Sequence, residues 1–519
     1  MKTKLIIIIL VSLIVTTGLN ADYFIPLNDP IYSFLEDLYI SNQIDKSYSI
    51  YPQYHKEVIE VLHELNNRKT VPGYHRLITY HLNRLTNSDE KGLNSGVYPL
   101  ERISGTIKNI FNSKIQKKRL ISYKNKQTEL FLSFILGVNY DLKNNDTELE
   151  RRYNYYGLQF GGNIRENFGF YTQYRKGHYK GDEDFILADH KIHRSGGMYR
   201  KVTTASELDF KNKYLNLAIG YGNFTIGNPL TSSIILNKNA NPYSYLKYYH
   251  QYDNFYFMGF NSQLFPDSVS STTDDYQQKS LALQTLNYAT NNFKFGVGQG
   301  VIYGDKSIDL AYLTPFMVYK LIDFKNHNRD NEFVFSYFGA RPFNSAYLYG
   351  NFYMDDLKKA RLKTKYALQA LAFQFGLKYQ LRAIPVQIGL ESTIIGPKNY
   401  GHSLDYGVDT RYTHDNYTLG YEYGANLINN AVSLQYRNTF FDIEFLYENL
   451  QQGNLGSNPF IWNAGDIEFL GNKMTRTQFI TAALDFHPGF YMNVSLEYRL
   501  AKQSKEDVYQ FSMGVEVKY

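Results

Sequence analysis

The chain ends in FSMGVEVKY (511–519), a stretch in which two kinds of side chain alternate. Phe511, Met513, Val515, Val517 and Tyr519 are apolar, and Ser512, Gly514, Glu516 and Lys518 between them are small or polar. A period of two indicates a β-strand with two different faces. A last strand that closes on an aromatic carboxy-terminus is typical of a transmembrane β-barrel. The end of the chain therefore predicts a wall strand with lipid on one side.

The same alternation recurs through most of the chain. Runs of roughly 9 to 12 residues give about eighteen strand candidates. They lie near 129–140, 153–164, 168–178, 213–223, 254–264, 278–289, 293–303, 332–341, 345–354, 366–379, 386–394, 404–414, 416–424, 430–438, 441–449, 477–487, 490–501 and 508–519. An even number returns both termini of a barrel to the same side of the membrane. We predict an all-β transmembrane barrel of about 18 antiparallel strands with a small N-terminal α-helical bundle.

The polar face of these strands carries charges. Ile443 and Phe445 alternate with Asp442 and Glu444, and ionised side chains facing lipid are strongly destabilising. We therefore expect the lumen to hold charges of both signs, namely Arg437, Asp442, Glu444, Glu448, Glu497, Arg499, Glu516 and Lys518. The longest stretches between candidates are expected to be extracellular loops, because periplasmic turns are short; they lie around 180–212, 224–253, 304–331 and 450–476.

The amino-terminus has the parts of a secretory signal. Lys2 and Lys4 precede an apolar run from Leu5 to Val15, and small or polar residues lead to Ala21. We expect cleavage before Asp22. No later stretch reaches the roughly 18 apolar residues of a membrane helix, and the chain has no Cys, so neither a helical anchor nor a disulfide framework is predicted.

A helical period follows the signal. Asp29 can cap a helix that has Pro30 at its first position, and the apolar faces of three helices are formed by Ile31, Phe34, Leu35 and Leu38, by Val58, Val61, Leu62 and Leu65, and by Tyr74, Leu77, Ile78 and Leu85. Short amphipathic helices must bury these faces together. The predicted organisation is a signal peptide at 1–21, a periplasmic helical bundle and connector at 22–125, and an outer-membrane β-barrel at 126–519.

Composition agrees with a barrel. The chain has 49 Tyr, 35 Phe and one Trp with a mean hydropathy of −0.41, as expected when only every second strand residue meets lipid and aromatic residues collect at the interfaces. The net charge of +6 comes from 55 basic and 49 acidic residues. Such a mixed balance does not indicate a nucleic-acid partner.

No signature of an enzyme, cofactor or metal site is present. Gly-x-Ser-x-Gly, His-Glu-x-x-His and a thiol nucleophile are all missing, so we expect no catalytic residue, cofactor or metal. The Gly296, Gly298 and Gly300 series favours a smooth strip that another surface approaches closely. A barrel hydrolase assembled from distant residues stays an alternative, with His402, His414 and His487 as its candidates.

The densest aromatic stretch runs from Tyr243 to Phe257 and suggests a carbohydrate contact. The candidate residues are Tyr245, Tyr248, Tyr249 and Tyr252. A tyrosine ring covers the apolar face of a pyranose while its hydroxyl reaches a sugar oxygen. The alternative is an interfacial aromatic girdle that continues into a loop.

The chain resembles the Wzi family of capsule-assembly outer-membrane proteins. The resemblance rests on the layout of signal, helices and strands, and on the phrases PLNDPIYSFLEDL (26–38), YLTPF (312–316), NSAYLYGNFYMDDLK (344–358), ESTIIGPKNYGHS (391–403) and YEYGAN (421–426). It implies a non-enzymatic role in attaching or organising surface polysaccharide. Within these phrases, the resemblance makes Asp355, Asp356, Pro397, Tyr400, His402 and Asn426 candidates for glycan attachment. They are equally open to a role as turn residues.

The sequence thus favours a non-enzymatic protein of a Gram-negative outer membrane that assembles or attaches capsular or extracellular polysaccharide. Its expected partners are that polysaccharide, outer-membrane lipid and, during insertion, the barrel assembly machinery, with no nucleic acid. The alternative function is an outer-membrane porin or substrate-specific channel, because a charged lumen wall also suits transport.

Overall fold

A computed structural model describes most of the chain. The described residues are 25, 29, 31–44, 55–68, 72–85, 95–97, 120–124, 128–145, 147–164, 168–187, 192–195, 198–211, 216–227, 229–267, 278–304, 308–325, 330–355, 367–381, 384–402, 409–454, 468–471, 473–489, 492–503 and 507–518. The expected signal peptide at 1–21 lies outside these residues.

Strands dominate the described residues. In chain order they are β1 Ser95–Val97, β2 Ile121–Lys124, β3 Thr128–Asn145, β4 Thr147–Ile164, β5 Phe168–Gly181, β6 His193–Ser195, β7 Met198–Lys211, β8 Asn216–Gly222, β9 Tyr243–Tyr252, β10 Phe255–Leu264, β11 Lys279–Ala289, β12 Phe293–Gly304, β13 Asn331–Phe343, β14 Ala346–Asp355, β15 Leu371–Gln380, β16 Val386–Ile395, β17 Thr413–His414, β18 Tyr417–Thr418, β19 Leu427–Arg437, β20 Phe441–Gly453, β21 Met474–Gly489, β22 Met492–Gln503 and β23 Asp507–Lys518.

Eighteen of these strands close into one antiparallel barrel, which confirms the predicted fold class. The wall order is β3, β4, β5, β7 to β16, β19 to β23. The ring closes where β23 pairs with β3, from Tyr509 opposite Asn144 to Lys518 opposite Ile135. Closure satisfies the backbone of both edge strands, so the wall has no open edge.

The two ends of the barrel differ. Brief connections such as Asp253–Asn254 and Asn344–Ser345 join strands at one end, where β3 also begins and β23 ends. We call this the short-turn end. Long connections, including 223–242, 305–330 and 396–426, lie at the opposite, long-loop end. This asymmetry matches the predicted difference between the two sides of the wall.

The predicted number of strands is correct because two missed strands are offset by two false candidates. β7 and β9 lie inside stretches that were expected to be loops. Conversely, the candidates 404–414 and 416–424 are not wall strands; their described residues form a loop that contains only the two-residue strands β17 and β18. This loop is buried, with Tyr412, Leu419 and Tyr421 at 0% exposure. Apolar and polar residues alternate in a loop with one buried face as they do in a wall strand, so the two sequence patterns look alike.

The outer face of the wall is apolar. Val432, Leu434, Ile443 and Phe445 project outward and are exposed, whereas Asp442 and Glu444 line the lumen.

The glycine strip on β12 has a steric origin. A Cβ at Gly296, Gly298 or Gly300 would lie 2.4, 2.3 or 2.1 Å from the ring of Tyr337, Phe335 or Phe333, respectively, on β13. These glycines let aromatic rings lie flat across the neighbouring strand.

The three N-terminal helices form where the sequence period predicts them, and two further short helices lie in stretches that were predicted to be loops. The described helices are α1 Ile31–Ile40, α2 His55–Asn67, α3 Pro72–Leu85, α4 Glu183–Leu187 and α5 Tyr319–Lys325, with 3-10 turns at Leu310–Leu313 and Ala367–Ala370. The Asp29 side chain accepts a hydrogen bond from the Ile31 backbone N–H at 2.9 Å, as an N-cap does. Within the described residues, none of the helices is both long enough and apolar enough to cross a membrane.

Candidate functional site

The three N-terminal helices, which we call the bundle, lie at the short-turn end. Their apolar faces share one core with Tyr347 and Tyr349 of β14. Lys211 Nζ at the end of β7 lies 2.8 Å from Glu57 Oε1 on α2, and the Ser345 backbone N–H donates to the Ile40 carbonyl at 2.9 Å. The bundle is therefore bonded to the rim of the barrel at several separate points.

Helix α1 reaches into the lumen through charged contacts. Asp37 pairs with Arg437 of β19 and accepts a hydrogen bond from Gln387 Nε2 at 2.8 Å. Its neighbour Glu36 lies 2.8 Å from Lys378 Nζ of β15. All of these side chains are largely buried, so each charge has a partner that offsets its loss of hydration.

A second layer enters from the long-loop end. Residues 223–242, which we call the inner loop, fold down inside the wall instead of projecting outward. The Leu230 backbone N–H donates to Glu391 Oε2 of β16 at 2.7 Å, and Gln374 Nε2 of β15 donates to the Ser232 carbonyl at 2.9 Å. Glu391 also accepts a hydrogen bond from Thr231 N–H at 3.3 Å. A single buried carboxylate thus fixes the lowest part of the inner loop.

The described residues 396–402 and 409–426, which we call the mouth loop, pack over the inner loop. The hydroxyls of Tyr400 and Tyr412 donate to the carbonyls of Ile234 and Ile235 at 2.8 and 2.7 Å, and Asn237 N–H donates to the Leu419 carbonyl at 2.8 Å. Together with inward side chains drawn mainly from β9 to β16, the two loops form an extended apolar core inside the lumen. This side of the barrel interior is packed like a soluble protein.

An ion cluster fixes the mouth loop at the rim. Asp409 lies 3.2 Å from Lys279 Nζ and 2.8 Å from Arg411 Nε, and Arg411 lies 3.2 Å from Asp267. Burial alone would raise the pKa of the Asp409 carboxyl, but Lys279 and Arg411 outweigh burial and hold it well below its usual range. Asp409 is therefore ionised at every physiological pH.

A polar cavity of about 700 Å³ lies between α1 and the inner loop, and we call it the chamber. Its remaining wall comes from β15, β16 and β19 to β22. Its acidic lining residues are Asp29, Glu36, Glu422, Asp442, Glu444 and Asp485, and its basic ones are Lys238, Lys378 and Arg437. Two of these cations already pair with α1, so the chamber is acidic in character. It suits polyhydroxyl or cationic solutes better than anions.

Glu422 of the mouth loop lies at the top of the chamber. Its backbone N–H donates to Ser232 Oγ at 2.9 Å, and its carboxyl accepts from Asn239 Nδ2 at 3.2 Å. Although Glu422 is exposed to the chamber, the surrounding protein limits its hydration and, together with the nearby Glu448 carboxylate, raises its pKa to about 7. The side chain is therefore able to donate as well as accept a hydrogen bond near neutral pH, as binding to a sugar hydroxyl requires.

Beside Glu422, two aromatic rings form a platform on the inner wall. The rings of Tyr423 and Phe479 stack with centroids 5.4 Å apart and planes 1° from parallel. The Arg499 guanidinium lies 4.5 Å from the Phe479 centroid and donates to the Tyr423 hydroxyl at 2.8 Å. That hydroxyl also donates to Glu448 at 3.2 Å. We call Tyr423, Phe479, Arg499 and Glu448 the aromatic platform; both rings are only partly buried.

The four candidate tyrosines of β9 are not brought together. Tyr245 and Tyr249 point inward and pack against the apolar core, and the Tyr245 hydroxyl bonds Glu207. Tyr248 lies on the outer face, where its hydroxyl donates to the Leu313 carbonyl at 2.8 Å. Tyr252 is 71% exposed at the short-turn end. Their proposed glycan role stays a prediction, and the exposed position of Tyr252 agrees with the girdle alternative.

The remaining candidates cluster at the long-loop end and bond to the protein itself. Tyr400 N–H donates to Asp355 Oδ2 at 2.9 Å, His402 Nδ1 lies 2.7 Å from Thr410 Oγ1, and Asn426 Oδ1 accepts from Leu470 N–H at 2.9 Å. Tyr400 and Asn426 have φ angles of 67° and 58°, as turn residues do. Asp356 lies outside the described residues. These contacts fit the turn alternative, and a glycan role for the set stays a prediction.

The histidines of the hydrolase alternative are far apart. His402 and His414 lie at the long-loop end, whereas His487 lies near the short-turn end, 3.6 Å from Asp442. Among the described residues, no group of three or more His, Asp or Glu side chains is arranged to hold a metal ion.

Sequence reasoning missed the aromatic platform as a unit. Tyr423 comes from the mouth loop, Glu448 from β20, Phe479 from β21 and Arg499 from β22. No local spacing links these four positions. The available signals were the YEYGAN phrase (421–426), which contains Tyr423, and the predicted lumen-facing charges Glu448 and Arg499.

Comparison with solved structures finds a match over nearly the whole chain. Wzi of Escherichia coli, an outer-membrane protein involved in group 1 capsule assembly and a carbohydrate-binding β-barrel, has a TM-score of 0.61 at 13% sequence identity, covering 95% of this chain and 99% of that chain. The family resemblance seen in the sequence is thereby confirmed at the level of the fold.

Two further solved structures match over a smaller part of the chain. OccK8 (OprE) of Pseudomonas aeruginosa has a TM-score of 0.45 at 8% identity, covering 75% of this chain and 98% of that chain. OccAB4 of Acinetobacter baumannii has a TM-score of 0.44 at 12% identity, covering 76% and 99%. No family model matches the chain, and no curated protein sequence does.

Proposed function

We propose that this protein is a non-enzymatic outer-membrane barrel of a Gram-negative bacterium that binds capsular or extracellular polysaccharide at the cell surface and helps to assemble or attach it. The observation that carries the proposal is the aromatic platform beside Glu422. Two parallel rings, an arginine and a carboxylate lie together on the inner side of the wall, next to Glu422 of the chamber lining. Flat rings cover the apolar faces of sugars, and the polar groups bond their hydroxyls.

The proposed orientation places the short-turn end and the bundle in the periplasm and the long loops outside. A cleaved signal at 1–21 would export the chain, and the barrel assembly machinery would insert it. The exposed apolar side chains of the outer face would then contact lipid. Polysaccharide would reach the platform from the long-loop end.

The two layers inside the lumen favour binding over transport. Helix α1 and the inner loop each bond to the wall through buried polar contacts, and the loop core fills the side of β9 to β16. The likeness in fold to carbohydrate-binding Wzi agrees with this role.

Deletion of the gene, followed by staining of the cell surface for polysaccharide, tests the role. We expect retained polysaccharide to fall while its synthesis continues, with release of polymer into the medium. Unchanged retention would contradict the proposal. Re-expression of the wild-type gene is the control for loss of neighbouring genes.

A substrate-specific channel is the second candidate, and the chamber is the observation that favours it. A cavity of about 700 Å³ with an excess of carboxylates could be a solute site between two gates. Ion conductance of the purified barrel in a planar bilayer separates the two functions. Steady conductance of the wild-type protein would favour the channel, and a nearly silent protein would favour the binding role.

A further inference from the structure

The connection between β12 and β13 folds over the outside of the barrel. Its described residues 308–325, which we call the outer hairpin, comprise the 3-10 turn Leu310–Leu313, a tip and helix α5. Tyr312, Tyr319 and Ile322 on its inner side pack in one apolar cluster with Ala282, Val301 and Tyr303 of the wall. Ala282 and Val301 pair across β11 and β12 on the face opposite the lumen-facing Leu283 and Ile302. The hairpin therefore covers part of the outward face.

The backbone of the hairpin is bonded by polar side chains of that outer face. The Phe316 N–H donates to Gln284 Oε1 at 3.0 Å, and the Tyr319 N–H donates to Gln299 Oε1 at 3.1 Å. The same two glutamines donate to the Met317 carbonyl, Gln299 at 2.7 Å. Gln284 and Gln299 face each other across β11 and β12. The tip of the hairpin thus bonds to both the oxygen and the nitrogen of each side-chain amide.

This arrangement explains two amides in a position where apolar residues are expected. An unsatisfied amide in hydrocarbon is costly, and irregular backbone at membrane depth is tolerated only where protein groups satisfy it. The glutamines and the hairpin tip satisfy each other. Tyr248 on β9 adds a further bond, from its hydroxyl to the Leu313 carbonyl.

The tip lies deep on the wall rather than at the rim. The ring of Phe316 packs at a tilt against that of Phe257, with centroids 4.5 Å apart. Phe257 is the third residue of β10 counted from the short-turn end. Phe257 also pairs with Leu286, which is exposed on the outer face. The hairpin is thus continuous with the apolar outer surface of the barrel.

The outward side of the hairpin is strongly apolar and exposed. Leu310, Phe316, Val318, Leu321 and Phe324 are between 50% and 75% exposed. The stretch Leu310 to Tyr319 contains no charged residue. At the long-loop end the helix is held instead by ions, with Lys320 Nζ 2.8 Å from Asp323 and 3.2 Å from Glu332. Charged side chains thus lie toward the long-loop end of the hairpin, whereas exposed apolar side chains extend from Leu310 and Phe324 to the tip at Phe316.

We propose that the outer hairpin is a re-entrant membrane segment, and that its exposed face binds the acyl chains of membrane lipids. Lipid is the occupant because the face continues the apolar surface that a barrel presents to hydrocarbon. The hairpin thickens the wall beside β9 to β13 and displaces lipid from the two glutamines. This inference does not depend on the polysaccharide role, and it requires only that the barrel is inserted in a membrane.

Site-directed spin labelling tests the proposal, and the absence of native cysteine makes each label unique. Single variants Phe316→Cys, Leu321→Cys and Phe324→Cys are labelled in the full-length protein in lipid vesicles. Phe445→Cys on the outer face of β20 is the lipid reference, and Glu148→Cys at the long-loop end is the water reference. Heat-modifiable migration in gels checks that each variant is folded.

We expect the three hairpin labels to relax with oxygen, which concentrates in lipid, and to be protected from a water-soluble nickel chelate, as at position 445. Labels that behave as at position 148 would overturn the proposal. Protection from both reagents, together with disulfide-linked dimers of Phe324→Cys, would assign the face to a second copy and would also overturn it. Water-like behaviour of the label at position 445 itself would show that the barrel is not inserted, and would therefore overturn the proposal as well.

Discussion

Arg437 at the short-turn end of β19 donates a hydrogen bond to the carboxylate of Asp37 on α1, across 400 positions of the chain. Both side chains are largely buried, at 13% and 3% exposure. The pair joins the bundle to the inside of the barrel wall. It is therefore the contact through which the helical and barrel parts of the fold can be tested separately.

Replacing Arg437→Gln should release the bundle from the lumen. The Asp37 carboxylate would stay buried without its cation, which costs about 3–5 kcal/mol. We expect the helices to become sensitive to protease while the wall stays intact. Arg68→Gln is the control, because the Arg68 and Glu64 side chains are 57% and 62% exposed and such a pair contributes at most about 1 kcal/mol. Equal protease sensitivity of the two variants would contradict the anchoring role.

Replacing Glu391→Ala should loosen the inner loop. The change removes an acceptor of the Leu230 and Thr231 N–H groups. The Tyr349 hydroxyl still accepts from Leu230, so the main loss is the partly buried Thr231 donor, at a cost of about 1–3 kcal/mol. We expect brief conductance openings in a planar bilayer, where the wild-type protein is nearly silent. Glu391→Gln keeps one acceptor oxygen and should open less often. A Glu391→Ala protein as silent as the wild type would show that the inner loop does not block the lumen.

Replacing Tyr423→Ala or Phe479→Ala should weaken polysaccharide binding roughly tenfold or more, because a stacked ring on a ligand contributes about 1–3 kcal/mol. The measurement is retention of purified capsular polymer on detergent-solubilised protein. The matched control is Tyr436→Ala, since Tyr436 pairs with Phe441 on the opposite face of the wall, with ring centroids 5.9 Å apart. Equal loss in all three variants would point to general destabilisation instead of a binding site.

Replacing Tyr400→Phe separates the two interpretations of the mouth-loop candidates. The variant loses the hydroxyl bond to the Ile234 carbonyl, at a cost of about 1 kcal/mol. We expect faster amide exchange in the inner loop and unchanged polysaccharide retention. The reverse result, weaker retention with unchanged exchange, would assign Tyr400 to glycan attachment.

The mouth loop should loosen in acid. The pKa of Asp409 lies below its unfolded value of about 4, so its contribution to stability is complete above pH ~4 and falls as pH decreases below that value. Amide exchange of residues 409–416, corrected for intrinsic rates, should accelerate as the pH falls from about 4 toward about 2. In Asp409→Asn this acceleration should be absent. An identical pH profile in both proteins would exclude Asp409 as its cause.

The wall could be predicted from the sequence because lipid and lumen impose opposite requirements on successive residues. β20 shows this directly, with Ile443 and Phe445 outside and Asp442 and Glu444 inside. β7 escaped prediction because Thr204 and Ser206 interrupt its apolar face between Val202 and Leu208. β9 escaped because tyrosine stands on both of its faces, and tyrosine suits either environment.

The interior could not be predicted in the same way. Contacts such as Glu391 with Leu230 join residues that are 161 positions apart, and no short-range pattern encodes them. The buried mouth loop even produced a false strand signal, since Tyr412 and Tyr421 alternate as wall residues do. The helices were predictable because Ile31, Phe34 and Leu38 follow a local period.

The lumen is filled unevenly, so the barrel wall is stiffer on one side than on the other. The strands from β9 to β16 pack against loops inside the lumen, so this part of the wall is stiff. From β20 around to β5 the inner wall is charged and braced mainly by pairs such as Glu516 with Arg175. Deformation under lateral pressure will therefore concentrate in the softer part of the wall, from β20 around to β5. Any transient gap that admits a polymer will open there too, next to the aromatic platform.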